Sequence, residues 1–216
     1  MTAGSGDELE LADWRRTVAE LYADVRAFAE EDPEIAWRHW CNVRERLYRT
    51  HPQSPVPVGD RPTFRARHWP YDASLRFEPT VEPEPPSAVD APPAPPLDLP
   101  DSGADRLAFR RIGRVVIPFA SGARTLSLFW MEGYAGGLFL PFRDATNGIE
   151  TYGAGRYVLD AVKGADLGGD PAASRLVVDF NFAYQPSCAF DPRWACPLAP
   201  PENRLDLAIP AGERLT

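Results

Sequence analysis

From residue 11 the apolar positions Leu11, Trp14, Val18, Leu21, Val25 and Phe28 recur at spacings of three and four, which lays a stripe along one face of a helix. Asp7 with Glu10 three residues on has the form of a capping box at its start. Asp32-Pro33 then ends this helix and opens another. Asp32 can cap, Pro33 fits the first helical position with φ preset, and Ala36, Trp40, Val43 and Leu47 continue the stripe. The pattern predicts a helical hairpin over residues 1–50. Its apolar faces are rich in aromatics (Trp14, Tyr22, Phe28, Trp37, Trp40, Tyr48), as expected of helices packed on a core rather than a base-stacking platform.

Beyond the hairpin, Pro52, Pro55, Pro57, Pro62 and Pro70 make an irregular connector, and residues 78–105 form its acidic, proline-rich loop. Residues 79–100 alone hold nine of the 24 prolines. From Arg106 the texture changes to short β runs: Leu107 to Phe119, Thr125 to Met131, Leu138 to Thr146, Ile149 to Val162, Leu176 to Tyr184, and Leu205 to Ile209. These predict an antiparallel domain over 106–216, barrel-like or a sandwich, and an α+β chain overall. Asn147-Gly148 is the preferred pair for a type I′ hairpin turn, which would set Thr146 opposite Ile149 and Arg143 opposite Tyr152. Alternation over 176–184 would put Asp179 and Asn181 on the face opposite Phe180 and Phe182.

The net charge of −8 is unevenly spread over the 216 residues. Residues 1–77 carry 11 Arg and 13 acids, 78–105 carry seven acids and no base, and 106–216 carry 12 bases against 11 acids. With no basic stripe, nucleic-acid binding is not expected. The chain opens on polar residues and contains no apolar run near 18 residues, so a cytoplasmic protein without a membrane partner is expected. Three cysteines, Cys41, Cys188 and Cys196, do not suggest a disulfide framework.

No cofactor is implied. Gly153-Ala154-Gly155 and Gly133-Tyr134-Ala135-Gly136-Gly137 lack the Lys-Ser/Thr of a phosphate loop, and His39, His51 and His68 lack metal-ligand spacing. The polar residues Arg143, Asp144, Thr151, Tyr152, Arg156 and Tyr157 cluster on the predicted hairpin, and Asp179, Asn181, Tyr184 and Asn203 fall on neighbouring segments. They suggest a pocket for a small polar or anionic molecule, with Asp179 as acid or base. Cys188 is a candidate nucleophile, and Cys188 with Cys196 a weak candidate pair for a metal or a redox switch.

The run Pro141-Phe142-Arg143-Asp144-Ala145-Thr146-Asn147-Gly148, continued by Glu150-Thr151-Tyr152-Gly153-Ala154-Gly155-Arg156-Tyr157, resembles the domain of unknown function 1684 family. So do Asp179-Phe180-Asn181-Phe182-Ala183-Tyr184-Gln185-Pro186-Ser187-Cys188, Cys196-Pro197 through Asn203-Arg204-Leu205, Ala211-Gly212-Glu213, and Thr50-His51-Pro52-Gln53-Ser54-Pro55. The chain departs from that pattern at Gln185 and Phe190, where the resemblance leads one to expect Asn and Tyr. The resemblance implies no activity. Three functional readings stay open: a small-ligand site that is or is not enzymatic, a non-catalytic protein-interaction module with structural polar motifs, and a cysteine-based metal or redox role.

Overall fold

The computed structural model describes residues 5–85, 97–98, 108–134 and 136–215. Both helices form: α1 spans Ser5–Ala29 and α2 spans Pro33–Thr50. Asp32 caps α2 by accepting from the backbone N–H of Glu34 at 2.8 Å and of Ile35 at 3.3 Å, with Pro33 in the first turn. The α1 start differs from the expected capping box, because Asp7 lies inside the first turn. On α2 the stripe residues Ala36, Trp40, Val43 and Leu47 are all buried, whereas the ends of the α1 stripe, Leu11 and Phe28, are exposed.

Short pairings occupy the connector: β1 (Arg67–His68), β2 (Arg76–Phe77), β3 (Val81–Pro83) and β4 (Leu97–Asp98). The central sheet is built on β5 (Ala108–Phe119), β6 (Gly122–Met131), β7 (Gly137–Phe142) and β8 (Arg156–Asp160). Its order is β3-β5-β6-β7-β8, antiparallel throughout, with β4 also on β5. Among the described residues nothing pairs β3 with β8, so the sheet is open and no barrel closes. In β5, Val115, Ile117 and Phe119 are buried while Arg114, Val116 and Pro118 face out. Residues 81–83 and 97–98 of the expected acidic loop are sheet, and Glu82 and Glu84 pair with Arg114 (2.7 Å) and Arg111 (2.6 Å). Residues 86–96 and 99–105 of that loop lie outside the described residues.

The later strands are shorter than expected. After β9 (Gly169–Asp170), β10 (Arg175–Leu176) and β11 (Val178–Asp179), the chain turns at Asp179 into a 3₁₀ turn over Phe180–Phe182. The alternation expected over 176–184 is therefore broken, and Asp179 and Asn181 are both fully buried. Residues 143–155 replace the expected two-residue hairpin. The carbonyl of Thr146 accepts from Ile149, Glu150 and Thr151, and Gly148 has φ +78 but Asn147 does not have the positive φ of a type I′ turn. β7 and β8 still pair, Phe142 opposite Arg156, across this longer loop.

One core joins the layers: Trp40 of α2 meets Phe182 edge-on at 5.5 Å, and Phe119, Phe142 and Phe180 pack together under the sheet. The last strand, β12 (Glu213–Arg214), pairs with β1 and returns the C-terminal segment beneath α2. It is admitted by Gly212, whose φ is +73 and where a Cβ would sit 2.3 Å from the carbonyl oxygen of Ala183. Gly212→Ala is expected to lower unfolding free energy by at least about 2 kcal/mol in urea denaturation. Gly59→Ala, where a Cβ meets nothing within 4 Å, is expected to stay within about 0.5 kcal/mol of the parent.

Candidate functional site

Arg44 lies one turn beyond Trp40 on the apolar face of α2, so its guanidinium is carried into the core. There it stacks between the rings of Tyr48 (4.5 Å) and Tyr184 (4.4 Å). Its Nε donates to Glu213 Oε1, and Nη2 donates to Glu213 Oε2 at 3.2 Å and to the Tyr48 hydroxyl. Glu213 Oε2 also accepts the backbone N–H of Gln185 at 2.8 Å. Burial alone would lower the Arg44 pKa, but the adjacent Glu213 carboxylate more than offsets this and holds the guanidinium charged. His68 lies beside the pair, with Nε2 4.0 Å from Glu213 Oε1 and no hydrogen-bond partner among the described residues; burial lowers its pKa.

Arg44 Nη1 donates to no acceptor among the described residues. The guanidinium is on the wall of a cavity of about 50 Å³ between the helical hairpin and β8, with Tyr22, Tyr48, Tyr157, Tyr184 and Lys163. Burial raises the pKa of each of these four tyrosines, so they are neutral hydroxyls at ordinary pH. Tyr22 accepts from Trp40 Nε1 at 3.1 Å, Tyr157 donates to the carbonyl of Pro197, and Tyr184 donates to Asp160 at 3.4 Å. Lys163 pairs with Asp160 at 3.6 Å, and half of its side chain stays exposed. Trp14, Lys163 and Ser187 are shared with an adjoining chamber of about 190 Å³, where Trp194, Gln53 and Cys196 complete part of the wall.

The residues that sequence reasoning picked out are distributed differently. Tyr157 and Tyr184 line the inner chamber and Cys196 the outer one. Arg156 is fully buried, donating to the carbonyls of Ala211, Glu213 (3.2 Å) and Ile209 (2.9 Å) and to Asp144 Oδ2 at 3.3 Å. Burial pulls its pKa down to about 10 against the fields of Asp144 and Glu213. Asp144 also accepts from Ile209 N (2.7 Å) and Thr146 Oγ1 (2.8 Å), and Thr146 meets Thr151 at 2.9 Å. Asn203 cross-links β6 and β7, accepting from Ser127 N at 2.7 Å and donating to the carbonyls of Ser127 (2.9 Å) and Pro141 (2.7 Å). Arg143 Nε donates to the carbonyl of Ala154 at 3.2 Å.

Asp179 and Asn181 do come together, in the core rather than at a mouth. Asn181 Nδ2 donates to Asp179 Oδ1 and to the carbonyl of Asp72, both at 2.8 Å, and its Oδ1 accepts from Asp72 N at 2.9 Å. Burial pushes the Asp179 carboxyl up to about 6, opposed by Asn181, by Arg76 at 3.8 Å and by Tyr71 at 3.5 Å. Cys188 N donates to Cys196 Sγ at 3.3 Å. The hydrogen bond with Cys188 and then burial raise the Cys196 thiol, while burial and then Cys188 push Tyr152 up to about 12. Gln185, longer than the Asn expected there, accepts from Tyr152 N at 2.9 Å. Among the described residues no group of three or more His, Cys, Asp or Glu is arranged to hold a metal ion. No helix of the described residues is long and apolar enough to cross a membrane.

Arg44, Lys163 and Glu213 were absent from the sequence candidates. Arg44 left a signal, a charge at i+4 from Trp40 inside an apolar stripe; Glu213 closes the Ala211-Gly212-Glu213 motif without any pattern that marks it as buried.

Two outcomes follow. Glu213→Ala leaves Arg44 buried without its carboxylate and is expected to cost about 3–5 kcal/mol in chemical denaturation. Asp179 is protonated more readily when folded than when unfolded. Its contribution is therefore fully present below its ordinary pKa near 3.8 and is lost as pH rises through about 6. Relative to wild type, Asp179→Asn should gain about 2 kcal/mol between pH 4 and pH 7 in denaturation series, most of what the full shift carries at 1.36 kcal/mol per pKa unit.

The family model described as protein of unknown function (DUF1684) matches residues 65–214. The chain is also similar to an uncharacterised protein from gene locus rrnAC0354 of Haloarcula marismortui, solved in solution by NMR. The two are 30% identical, with a TM-score of 0.59 over 87% of this chain and 96% of that one. None of the curated proteins matches the chain. With more than half of its length under the family model and the quoted motifs in order along it, the chain belongs to the DUF1684 family of proteins of unknown function.

Proposed function

We propose that the protein binds a small polar or anionic molecule in the chamber between the helical hairpin and β8. The observation that carries this reading is Arg44 Nη1, a cationic donor without an acceptor among the described residues, on a residue only 9% exposed that lines the chamber. Nη1 is not sealed off and keeps some accessible surface, so an anion in the chamber could accept a charge-assisted hydrogen bond from it. Lys163 adds a second cation at the wall, and the neutral tyrosine hydroxyls add polar partners at fixed positions. About 50 Å³ admits a group of a few heavy atoms.

Binding fits this chamber better than acid/base chemistry. The four tyrosines are held above their ordinary pKa, and no carboxylate or imidazole is among the lining residues. Asp179, the residue first expected to act as acid or base, is engaged with Asn181, Tyr71 and Arg76 away from the chamber. The interaction-module reading draws support from the mutual pairing of Asp144, Arg156, Asn181 and Asn203 inside the fold. A cysteine-based role has the adjacency of Cys188 and Cys196 in its favour and the raised Cys196 thiol against it.

Acetate titrated into ¹⁵N-labelled protein at pH 7 should give saturable shifts at the Trp14 indole and the Gln185 amide. Lys163→Met should weaken that binding by about tenfold, and Arg143→Ala should leave it unchanged. Shifts that spread over the surface and do not saturate would remove the chamber as a binding site.

A further inference from the structure

Clefts on the described surface differ in whether acids share their walls with bases. Glu45 shares one with Arg46 and Arg49, Asp60 shares another with Arg65 and Arg67, and Glu82, Glu84 and Glu202 share a third with Arg111 and Arg114. The inner chamber at Arg44 and its neighbour at Trp194 carry cations, Arg44 and Lys163 in one, Arg15 and Lys163 in the other, and no carboxylate. These two adjoin through Trp14, Lys163 and Ser187. The carboxylates nearest in the bonding pattern already have partners: Asp160 in Lys163 and Tyr184, Glu213 in Arg44 and Gln185 N, Asp13 in His51 and Arg16, and Glu10 in the Gln53 amide at the outer wall.

The chambers also differ in size and character. The inner one is small, with the open nitrogen of Arg44, Lys163 and tyrosine hydroxyls. The outer one is nearly four times larger and has apolar walls from Leu11, Trp14, Pro55 and Trp194. A short anionic head and a flat apolar body match that division. The head is a carboxylate rather than a phosphate. One open guanidinium nitrogen and one ammonium can satisfy two oxygens, whereas a phosphate has more strong acceptors than this small chamber has charged donors. Two indoles facing the outer chamber suit a ring, through stacking or edge contacts, better than a hydroxylated chain.

We infer that the molecule bound at this site is an aryl carboxylate, its carboxylate between Arg44 and Lys163 and its ring in the outer chamber against Trp14 and Trp194. This inference rests on the anion-binding reading above and extends it to the body of the ligand. Lys163, shared by both chambers and half exposed, stands where head and ring join. Cys196 and Ser187 are on the same wall and would border the ring.

Isothermal titration with sodium benzoate, sodium acetate, benzyl alcohol and inorganic phosphate tests each part on the intact protein. Benzoate should bind at least about tenfold more tightly than acetate, as burial of a ring requires, and benzyl alcohol and phosphate should both be weaker than benzoate. Trp194→Ala should bring benzoate to within about threefold of acetate and leave acetate unchanged. Leu11→Glu, at a half-exposed helix position, provides a second variant and should weaken benzoate by placing a like charge in the outer chamber. Equal binding of benzoate and acetate, untouched by Trp194→Ala, overturns the ring assignment while the anion site stands. Phosphate binding more tightly than benzoate overturns the carboxylate head, and benzyl alcohol matching benzoate overturns the role of charge. Failure of acetate and benzoate alike overturns the anion site itself and this inference with it.

Discussion

A carboxylate buried near the end of the chain must find a cation, and Glu213 finds Arg44 from α2. With an ion pair taken out of water, each partner is tolerable only because the other is present and the remaining lone pairs are occupied. Here the backbone N–H of Gln185 takes one of those lone pairs, while Tyr48 accepts from the guanidinium. One interaction thereby ties together the helical hairpin, the segment after the Phe180–Phe182 turn and the C-terminal strand. It also fixes their depth, because the fork of Arg44 must meet both oxygens of Glu213 while its plane lies between two tyrosine rings. Gly212 belongs to the same constraint, since the backbone can pass Ala183 closely enough to deliver Glu213 only where no Cβ intervenes.

Much of the chain after β7 is neither helix nor long strand, yet it is buried. Backbone groups there cannot be satisfied by a ladder and must be met by side chains. Arg156 serves the carbonyls of Ile209, Ala211 and Glu213, Asn203 serves Ser127 and Pro141, Asn181 serves Asp72, and Gln185 serves Tyr152. A sequence with so many Arg, Asn, Asp and Thr in a few motifs resembles a binding site for the same reason that it makes a good scaffold. Both need polar groups at fixed positions in a low-dielectric setting.

The parts of the fold readable in the sequence are those decided locally. The α2 stripe, the Asp32-Pro33 junction and the long hairpin of β5 and β6 follow from periodicity, capping and β-rich composition, which act over a few residues. Asn147-Gly148 misled because its preference for a tight turn competes with the Thr146 carbonyl, which gathers three N–H groups, and with Asn147 itself, whose side chain donates to Thr151 and to the carbonyl of Tyr152. The alternation over 176–184 misled because Asp179 caps a turn by accepting from Asn181 N, a choice fixed by distant Asp72 and Arg76. Glu213 could not be read at all, since an acid near a chain end is ordinarily solvated and its burial depends on a partner 169 residues away.

The same separation explains why the chamber was invisible while its components were not. Trp14 and Tyr22 come from α1, Arg44 and Tyr48 from α2, Tyr157 from β8, and Tyr184 and Gln185 from the turn that follows β11. Tyr157 and Tyr184-Gln185 fall in motif runs, but the helical segments that complete the wall have none, and nothing in the sequence links the two groups. What makes their meeting place distinctive is an imbalance: Glu213 engages two nitrogens of Arg44, the third has no acceptor among the described residues, and neither Glu213 nor Asp160, the partner of Lys163, is among the lining residues. The acids that pair with the two cations for folding thus lie outside the lining, which is left to the cations, the tyrosine side chains and apolar groups. A chain with a net charge of −8 in this way lines a small interior chamber with cations and no acid, because the carboxylates that pair with them, Glu213 and Asp160, come from outside the lining.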